Sequence, residues 1–371
     1  MRVALVCDWL TNFGGGEKVL LELHRMFPDA PIYTSQYDPN KLDWFHDADV
    51  RTGRLQKFPA KLRRFLGPFR QWYFSHLDLS EYDLVISVTG AEAKAVRVKN
   101  GLYISYCHVP TQYYWQMYDD YIKNPGFGIL NPLVRFFFRL MVIPLRRADL
   151  RAAKRPDYYI TISEYAKEQI EKYYKREAVI IHPPVEIQDF KLKKDVETTD
   201  YYITTSRQVN WKRIDLAVRA CLMTQRKLVV IGDGPEHKKL VKLAKDSGLV
   251  EFLPTMDKKE LVKYLTKAKG YLFPSLEPFG IAPVEALAAG CPVIAYGVGG
   301  ARDYVKDGKN GVLFSEQSAK SLAEAILKFE MKKFNRKMVS KSVDSFGLQR
   351  FDSEVLAFIK RCEKKYDKEK K

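Results

Sequence analysis

This sequence predicts two doubly wound α/β domains, each built on a parallel sheet. First, 371 residues with 46% apolar and 13% aromatic side chains exceed what one hydrophobic core usually holds. Second, short apolar runs alternate with longer helical patterns, which is typical of parallel sheets covered by helices. Third, a polar interval at 185–200 separates two such series and is predicted to be a linker. We therefore place domains at 1–184 and 200–345, followed by a closing helical segment at 346–371.

The individual strands are read from continuous β-branched and aromatic runs. In the first domain the predicted strands are 3–7, 84–88, 103–106, 158–162 and 179–181. In the second domain they are 201–205, 227–231, 270–273, 292–295 and 311–314. Ligands of such sheets bind at the carboxyl ends of the strands, so we expect a site in a cleft between two sheets of this kind.

Composition limits the classes of partner and compartment. The formal net charge is +17, which favours polyanionic partners such as nucleic acid, an anionic membrane or a nucleotide diphosphate. The five cysteines are dispersed without a Cys-x-x-Cys pair, so neither a disulfide framework nor a zinc site is indicated. The most apolar stretch, 136–143, is interrupted by Arg139 and is far shorter than the roughly 20 residues that span a bilayer. No secretory signal precedes the first strand, and a cytoplasmic location is expected.

The most informative segment, 270–290, reads as strand, loop, helix and glycine stop. Pro283 suits the first turn of a helix, and Gly290 suits the position just after its end. The backbone N–H groups at the start of this helix can bind phosphate. They belong to Phe279, Gly280 and Ile281. Glu277 in the loop and Glu285 in the helix can accept hydrogen bonds from sugar or ribose hydroxyls.

This segment resembles the Glu-x7-Glu motif of glycosyltransferase family 4, whose members are retaining enzymes of the GT-B fold. The resemblance implies that Glu285 holds the donor ribose and that Glu277 holds the hydroxyls of the donor sugar. It also implies that the backbone at 279–281 contacts the phosphates and the sugar. Without these surroundings, a loop glutamate and a helix glutamate on a solvated surface would be an equally good interpretation.

A second match, 206–215, follows the first strand of the second domain. Arg207 and Lys212 could neutralise a leaving diphosphate as charge develops on it, and the matching Arg and Lys do so in the family. The alternative is a solvated basic loop. The turn at 232–235 resembles a Gly-x-Gly-Pro turn of the family. The loop at 252–256 resembles the one whose backbone meets the base, with Pro254 in place of the usual glycine, so only Met256 is carried over.

The first domain carries two further matches. The loop at 12–18 resembles the Gly-Gly-x-Glu loop of the family, with Gly14 and Gly15 as the pair that approaches the donor phosphate; it does not have Walker A spacing. His108 ends an apolar strand and coincides with the active-site histidine of the family, which implies contact with the donor sugar, although lone strand-end histidines are often structural. In the second domain, 299–303 resembles a Gly-Gly-x-x-Glu loop with Asp303 in place of the glutamate.

The resemblance implies a nucleotide-sugar-dependent transferase that retains the anomeric configuration and needs neither metal nor cofactor. Its task would be mainly positioning and electrostatic stabilisation. The region 106–113 is similar to bacterial mannosyltransferases that build surface polysaccharide, which favours mannose from GDP-mannose and a glycan or lipid-linked acceptor. A UDP-sugar donor is the alternative within the family.

The segment 51–72 predicts a membrane-facing surface in the first domain. Its seven basic residues, with no acidic residue, are interleaved with large apolar side chains. Arg63, Arg64 and Arg70 are expected to meet anionic lipid at the inner face of the cell membrane, so that the protein is peripheral there. The alternative is that the apolar residues are core and the bases a solvated rim.

Three other functions remain open from the sequence. Asp47 and Asp49 match the Asp-x-Asp motif of single-sheet, metal-dependent glycosyltransferases. However, these residues lie in a polar tract, and one sheet leaves the second α/β half unexplained. The net charge and the basic-aromatic segment 63–73 suggest a nucleic-acid-binding protein, but no recognised motif accompanies them and no nucleic-acid partner is expected. A catalytically inactive sugar-nucleotide sensor is the third alternative.

Overall fold

The computed structural model describes residues 1–59, 66–123, 128–193 and 196–370 of the chain. The chain divides into two compact units. The first comprises Met1–Pro183 together with Phe351–Lys371, and the second comprises Pro184–Arg350. Each unit holds one parallel sheet, as the sequence predicts.

The first unit is built on a seven-stranded sheet. Its strands are β1 (Val3–Cys7), β2 (Ile32–Thr34), β3 (Val50–Thr52), β4 (Leu84–Thr89), β5 (Leu102–Cys107), β6 (Tyr158–Thr161) and β7 (Val179–Ile180). Its helices are α1 (Gly15–Met26), α2 (Gly67–His76), α3 (Tyr118–Lys123), α4 (Asn131–Ala152) and α5 (Glu164–Tyr174). The strand order is β3-β2-β1-β4-β5-β6-β7, so the topological switch point lies between β1 and β4.

The second unit is built on a six-stranded sheet. Its strands are β8 (Tyr201–Thr205), β9 (Lys227–Ile231), β10 (Val250–Leu253), β11 (Gly270–Phe273), β12 (Val293–Tyr296) and β13 (Gly311–Phe314). Its helices are α6 (Ile187–Phe190), α7 (Ile214–Thr224), α8 (His237–Ala244), α9 (Lys258–Lys267), α10 (Ile281–Ala288), α11 (Ala301–Tyr304), α12 (Ala319–Glu330) and α13 (Arg336–Lys341). The order β10-β9-β8-β11-β12-β13 places the switch point between β8 and β11.

Local sequence explains these elements. Every residue of β11 is buried, because both faces of a parallel strand lie against helices. The hydroxyl of Ser318 accepts a hydrogen bond from the Ser321 N–H and caps α12, whose apolar face then packs on α7 and the sheet. At the other end of a helix, Gly290 has φ +73°, which stops α10 where the sequence predicts.

The last helix, α14 (Leu348–Lys370), packs on the first unit. The ring of Phe351 lies 6.0 Å from that of Tyr106, and the ring of Phe358 lies 6.4 Å from that of Tyr158. The hydroxyl of Tyr366 donates to the carbonyl of Gly101 at 3.0 Å. The chain therefore returns to its first unit after completing the second.

The polar interval at 185–200 is partly folded, which differs from the predicted linker. Ile187 and Phe190 are buried, and α6 packs on α10. The N–H of Leu192 donates to the carbonyl of Ala288 at 3.0 Å. The sequence of this stretch resembles a linker because Ile187 and Phe190, the two buried residues, have charged residues as sequence neighbours.

All five cysteines are buried and unpaired. Among the described residues, no helix is both long and apolar enough to cross a bilayer.

Candidate donor site

The candidate residues of the second unit gather at the carboxyl edge of its sheet. Arg207 and Lys212 follow β8, whereas Glu277 and Phe279 follow β11. These two strands are neighbours at the switch point, where the loops of a doubly wound sheet diverge and leave room for a ligand. The fold therefore brings two sequence-distant motifs to one place.

Lys212 and Glu277 form the central contact of the site. Nζ of Lys212 lies 2.7 Å from Oε1 of Glu277, and the Ser275 hydroxyl donates to the same oxygen at 2.8 Å. The two side chains are 23% and 19% exposed, so their attraction is less screened by water than that of a surface pair. A cation and a carboxylate held together can contact a diphosphate and sugar hydroxyls respectively.

The loop that carries Glu277 is supported from behind by Gly299 and Gly300. A Cβ on Gly299, which has φ +98°, would lie 2.6 Å from the carbonyl oxygen of Glu277. The N–H of Gly300 donates to that same oxygen at 2.9 Å, and the Tyr304 hydroxyl donates to the Phe279 carbonyl at 2.8 Å. The Gly-Gly segment that the sequence singled out thus positions the Glu277–Phe279 backbone.

Helix α10 begins directly after this loop. Gly280 has φ +91°, and a Cβ there would lie 2.6 Å from Cζ of Phe273. This tight turn aims the first turn of the helix, with its N–H groups and positive dipole end, at the carboxyl edge. Glu285 lies in the next turn, partly buried. Burial raises the pKa of the Tyr271 phenol, and the charges of Glu277 and Glu285 both add to that rise.

Arg207 is exposed, and its guanidinium lies 5.7 Å from the centre of the Trp211 ring, on the same loop. The turn at 232–235 holds this loop. Its Gly234 approaches so closely that a Cβ would lie 2.4 Å from the carbonyl oxygen of Gln208, and the buried Gln208 amide donates to the Gly232 carbonyl at 2.6 Å. Sequence reasoning found the turn but not the role of Gln208.

Met256 lies at the same carboxyl edge of the sheet but two strands away from the Lys212 loop. It follows β10, which is separated from β8 by β9, and its side chain is partly buried. The structure does not bring it beside Lys212.

In the first unit, His108 follows β5 and lies against the start of α1. A Cβ on Gly16 would be 2.5 Å from Cε1 of His108, so only glycine fits there. Gly14 caps α1 and Gly15 is its first residue. Burial lowers the pKa of His108 to about 4, which leaves the ring neutral at neutral pH. Its Nε2 is buried and makes no hydrogen bond within the described part of the chain.

Asp8, at the end of β1, is a residue that sequence reasoning missed. Its carboxylate accepts hydrogen bonds from the backbone N–H groups of Gly90, Ala91 and Ala93 at 2.7 to 3.1 Å, and from the Thr89 hydroxyl. It ties the loop after β1 to the loop after β4 at the switch point of the first sheet. An acid directly after a buried strand was the available signal.

Of the three arginines that the sequence predicts to meet lipid, the structure describes one. The prediction that Arg70 meets lipid is wrong, because its side chain is buried and its Nε donates to Glu92 Oε2 at 2.9 Å. Buried charges need partners, and Glu92 supplies one. Arg63 and Arg64 lie outside the described residues.

The two aspartates of the Asp-x-Asp match each lie beside a basic side chain. Asp47 is exposed beside His46, and Asp49 forms an ion pair with Arg51 at 2.7 Å. Within 1–59, 66–123, 128–193 and 196–370, no group of three or more His, Cys, Asp or Glu side chains could hold a metal ion.

Comparison with known proteins agrees with this geometry. Residues 184–344 match the family model described as glycosyl transferases group 1. An uncharacterized glycosyltransferase of Methanocaldococcus jannaschii is 28% identical over 199 residues, which is 53% of this chain and 56% of that protein. The alpha-1,3/1,6-mannosyltransferase ALG2 of Mus musculus is 24% identical over 91% of this chain and 92% of its own length. The chain spans little more than half, or less, of the first curated relatives it matches.

A solved structure supports the predicted fold. The Anabaena protein HepE, determined in complex with UDP, superposes with a TM-score of 0.68 at 16% identity, covering 97% of this chain and 100% of that one. This likeness, together with the two parallel sheets, confirms the GT-B fold. Lys212, Glu277 and α10 all lie within residues 184–344, the part of this chain that matches the glycosyl transferases group 1 model.

Proposed function

We propose that this protein is a retaining glycosyltransferase of family 4 that takes its sugar from a nucleotide-sugar donor. The observation that carries the proposal is the Lys212–Glu277 contact beside the start of α10, at the switch point of a group 1 domain. Lys212 and Arg207 would neutralise the diphosphate, Glu277 would hold the sugar hydroxyls, and Glu285 would hold the ribose. The roles that the family resemblance implies for Gly14, Gly15 and His108 stay predictions.

GDP-mannose is the donor we propose, with a glycan or lipid-linked acceptor of cell-surface polysaccharide. The alignment with a mannosyltransferase over nine-tenths of the chain supports mannose. A UDP-sugar is the competing donor, since the Anabaena structure of the same fold was determined with UDP. We also propose that the protein acts in the cytoplasm, as a peripheral protein on the inner face of the cell membrane.

A panel of GDP- and UDP-sugars tests the proposed function. A ligand at about 100 times its dissociation constant stabilises the folded protein by roughly 2.7 kcal/mol, which a thermal shift detects. We expect GDP-mannose to give the largest shift, and an enzymatic product from an α-linked donor to carry an α-linkage by NMR. A protein that no sugar nucleotide stabilises, or a β-linked product, would contradict the proposal.

We propose that transfer needs no metal, because Arg207, Lys212 and the dipole of α10 can neutralise the diphosphate. Activity is expected to survive EDTA, and Asp47→Asn combined with Asp49→Asn is expected to keep wild-type turnover. Loss of activity on chelation, with recovery on adding manganese, would contradict metal-independent transfer.

A further inference from the structure

Helix α4 presents two different faces. Val142, Leu145, Asp149 and Ala152 are buried, and their spacing of three and four residues defines one side of the helix. This side packs against α2 and the turn at 93–95 of the first unit. The opposite side is therefore available to a partner.

That opposite side is strongly apolar. Leu133, Phe136, Phe137, Leu140 and Ile143 are each 55% to 58% exposed and fall at positions i, i+3, i+4, i+7 and i+10 of one stripe. We call these five residues the α4 stripe. Monomeric proteins rarely expose so many large apolar side chains side by side without a partner for them.

Charge decides the kind of partner. The helix carries five arginines but one acidic residue, and that residue, Asp149, is buried at 2.6 Å from Nζ of Lys94. Arg147 and Arg151 are exposed and continue the line of the α4 stripe toward the end of the helix, and Arg139 is exposed at its flank. The exposed side of α4 is thus apolar and basic, which fits an anionic lipid surface.

We propose that α4 is the membrane-binding element, lying in the plane of an anionic bilayer with the α4 stripe among the acyl chains and the arginines at the phosphates. No described helix is long and apolar enough to span the bilayer, so the helix would lie flat. A second copy of the chain is a poorer occupant, because a symmetric contact would bury these arginines against the same stripe, which offers no carboxylate.

The role of α4 rests on the membrane association proposed above and assigns that association to one helix, but it does not depend on sugar transfer. It also differs from the expectation drawn from the segment 51–72. In that segment Arg70 is buried, whereas Phe69 and Trp72 of α2 are exposed and provide a rival surface that the test must separate.

A fluorescent label placed by Leu140→Cys tests the proposal without any sugar nucleotide. All five native cysteines are buried, so an environment-sensitive thiol dye should react mainly at the introduced site. On vesicles rich in phosphatidylglycerol we expect a blue shift of the dye, and on pure phosphatidylcholine at least tenfold weaker binding. The matched control is Met331→Cys, an exposed position of the second unit, which should show no shift.

Unlabelled variants then separate the surfaces. Phe136→Ser with Phe137→Ser is expected to weaken vesicle binding by at least tenfold, given the typical gain from burying a phenylalanine. Arg147→Glu with Arg151→Glu should also weaken binding and flatten its salt dependence, whereas Phe69→Ser with Trp72→Ser should leave both nearly unchanged. An unshifted dye at position 140, or loss of binding in the α2 pair alone, would overturn the proposal. The proposal would also be overturned if the protein did not bind vesicles and instead formed a dimer that Phe136→Ser dissociates. None of these outcomes bears on donor binding, so the proposed function is judged separately.

Discussion

Lys212→Ala is expected to lower turnover by roughly one and a half to four orders of magnitude while the fold stays intact. Removing one member of a desolvated charge contact typically costs about 2 to 5 kcal/mol, and each 1.4 kcal/mol lost from the transition state is about tenfold in rate. The partner Glu277 would also lose the cation that now lies 2.7 Å from it. Steady-state kinetics with the donor that gives the largest thermal shift, with circular dichroism as a check of folding, measures the effect.

The second unit offers a matched control at the opposite edge of the same sheet. Arg226, just before β9, lies 2.8 Å from Glu330, and these side chains are comparably exposed to those of Lys212 and Glu277. The pKa of Glu330 is lowered to about 2, chiefly by its hydrogen bond from Arg226. Arg226→Ala should therefore cost stability but leave kcat within about twofold of wild type. Equal kinetic losses in the two variants would show that Lys212 acts only through folding.

Asp8→Ala is expected to destabilise the first unit by about 3 to 5 kcal/mol. The change removes the acceptor of the Gly90 and Ala93 backbone N–H groups and of the Thr89 hydroxyl, and it leaves the Ala91 N–H with the Thr89 oxygen alone. Each unsatisfied buried donor typically costs about 1 to 3 kcal/mol. Because the protein has two units, one global unfolding free energy is not well defined. Hydrogen exchange of the amides at 90–93 measures the local opening free energy instead.

Asp38→Ala serves as the control for Asp8. Asp38 is partly exposed and pairs with Lys41 three residues away, so its loss should change the opening free energy by less than about 1 kcal/mol. Unchanged protection of 90–93 in Asp8→Ala would mean that the carboxylate does not hold this loop.

Much of the fold follows from local sequence because a buried parallel strand is a continuous apolar run. The strands at 3–7, 201–205, 227–231, 270–273 and 311–314 have the predicted bounds. Strands β2, β3 and β10 were not predicted. The first two span three residues each, too few to show a pattern, and β3 and β10 lie at sheet edges, where solvent exposure allows polar residues such as Glu251.

Side-chain pairing could not be read from the sequence. Arg70 stands among apolar residues like a membrane-facing base, and only the fold shows Glu92 beside it. Likewise, Lys212 and Glu277 are 65 residues apart, and their contact depends on β8 and β11 being neighbours. Family motifs located these two residues, but the contacts by which Gly299 and Tyr304 support the Glu277 loop are seen only in the folded structure.

The sequence also does not show which face of α4 is buried. The sequence shows an apolar run at 136–143 that Arg139 interrupts. Apolar residues occur on both sides of the helix, so the sequence does not say which side the protein covers. Packing buries Val142 and Leu145 and leaves Phe136 and Leu140 exposed.

A hydrogen-exchange footprint of the donor tests the central claim most directly, that the carboxyl edge of the second sheet binds a sugar nucleotide. With saturating GDP-mannose or UDP-glucose, we expect added protection at 206–212 and 274–282, which follow β8 and β11. Peptides covering 224–228 and 328–332, at the opposite edge, should be unchanged. Saturable binding of the donor that leaves 206–212 and 274–282 unprotected would contradict the account.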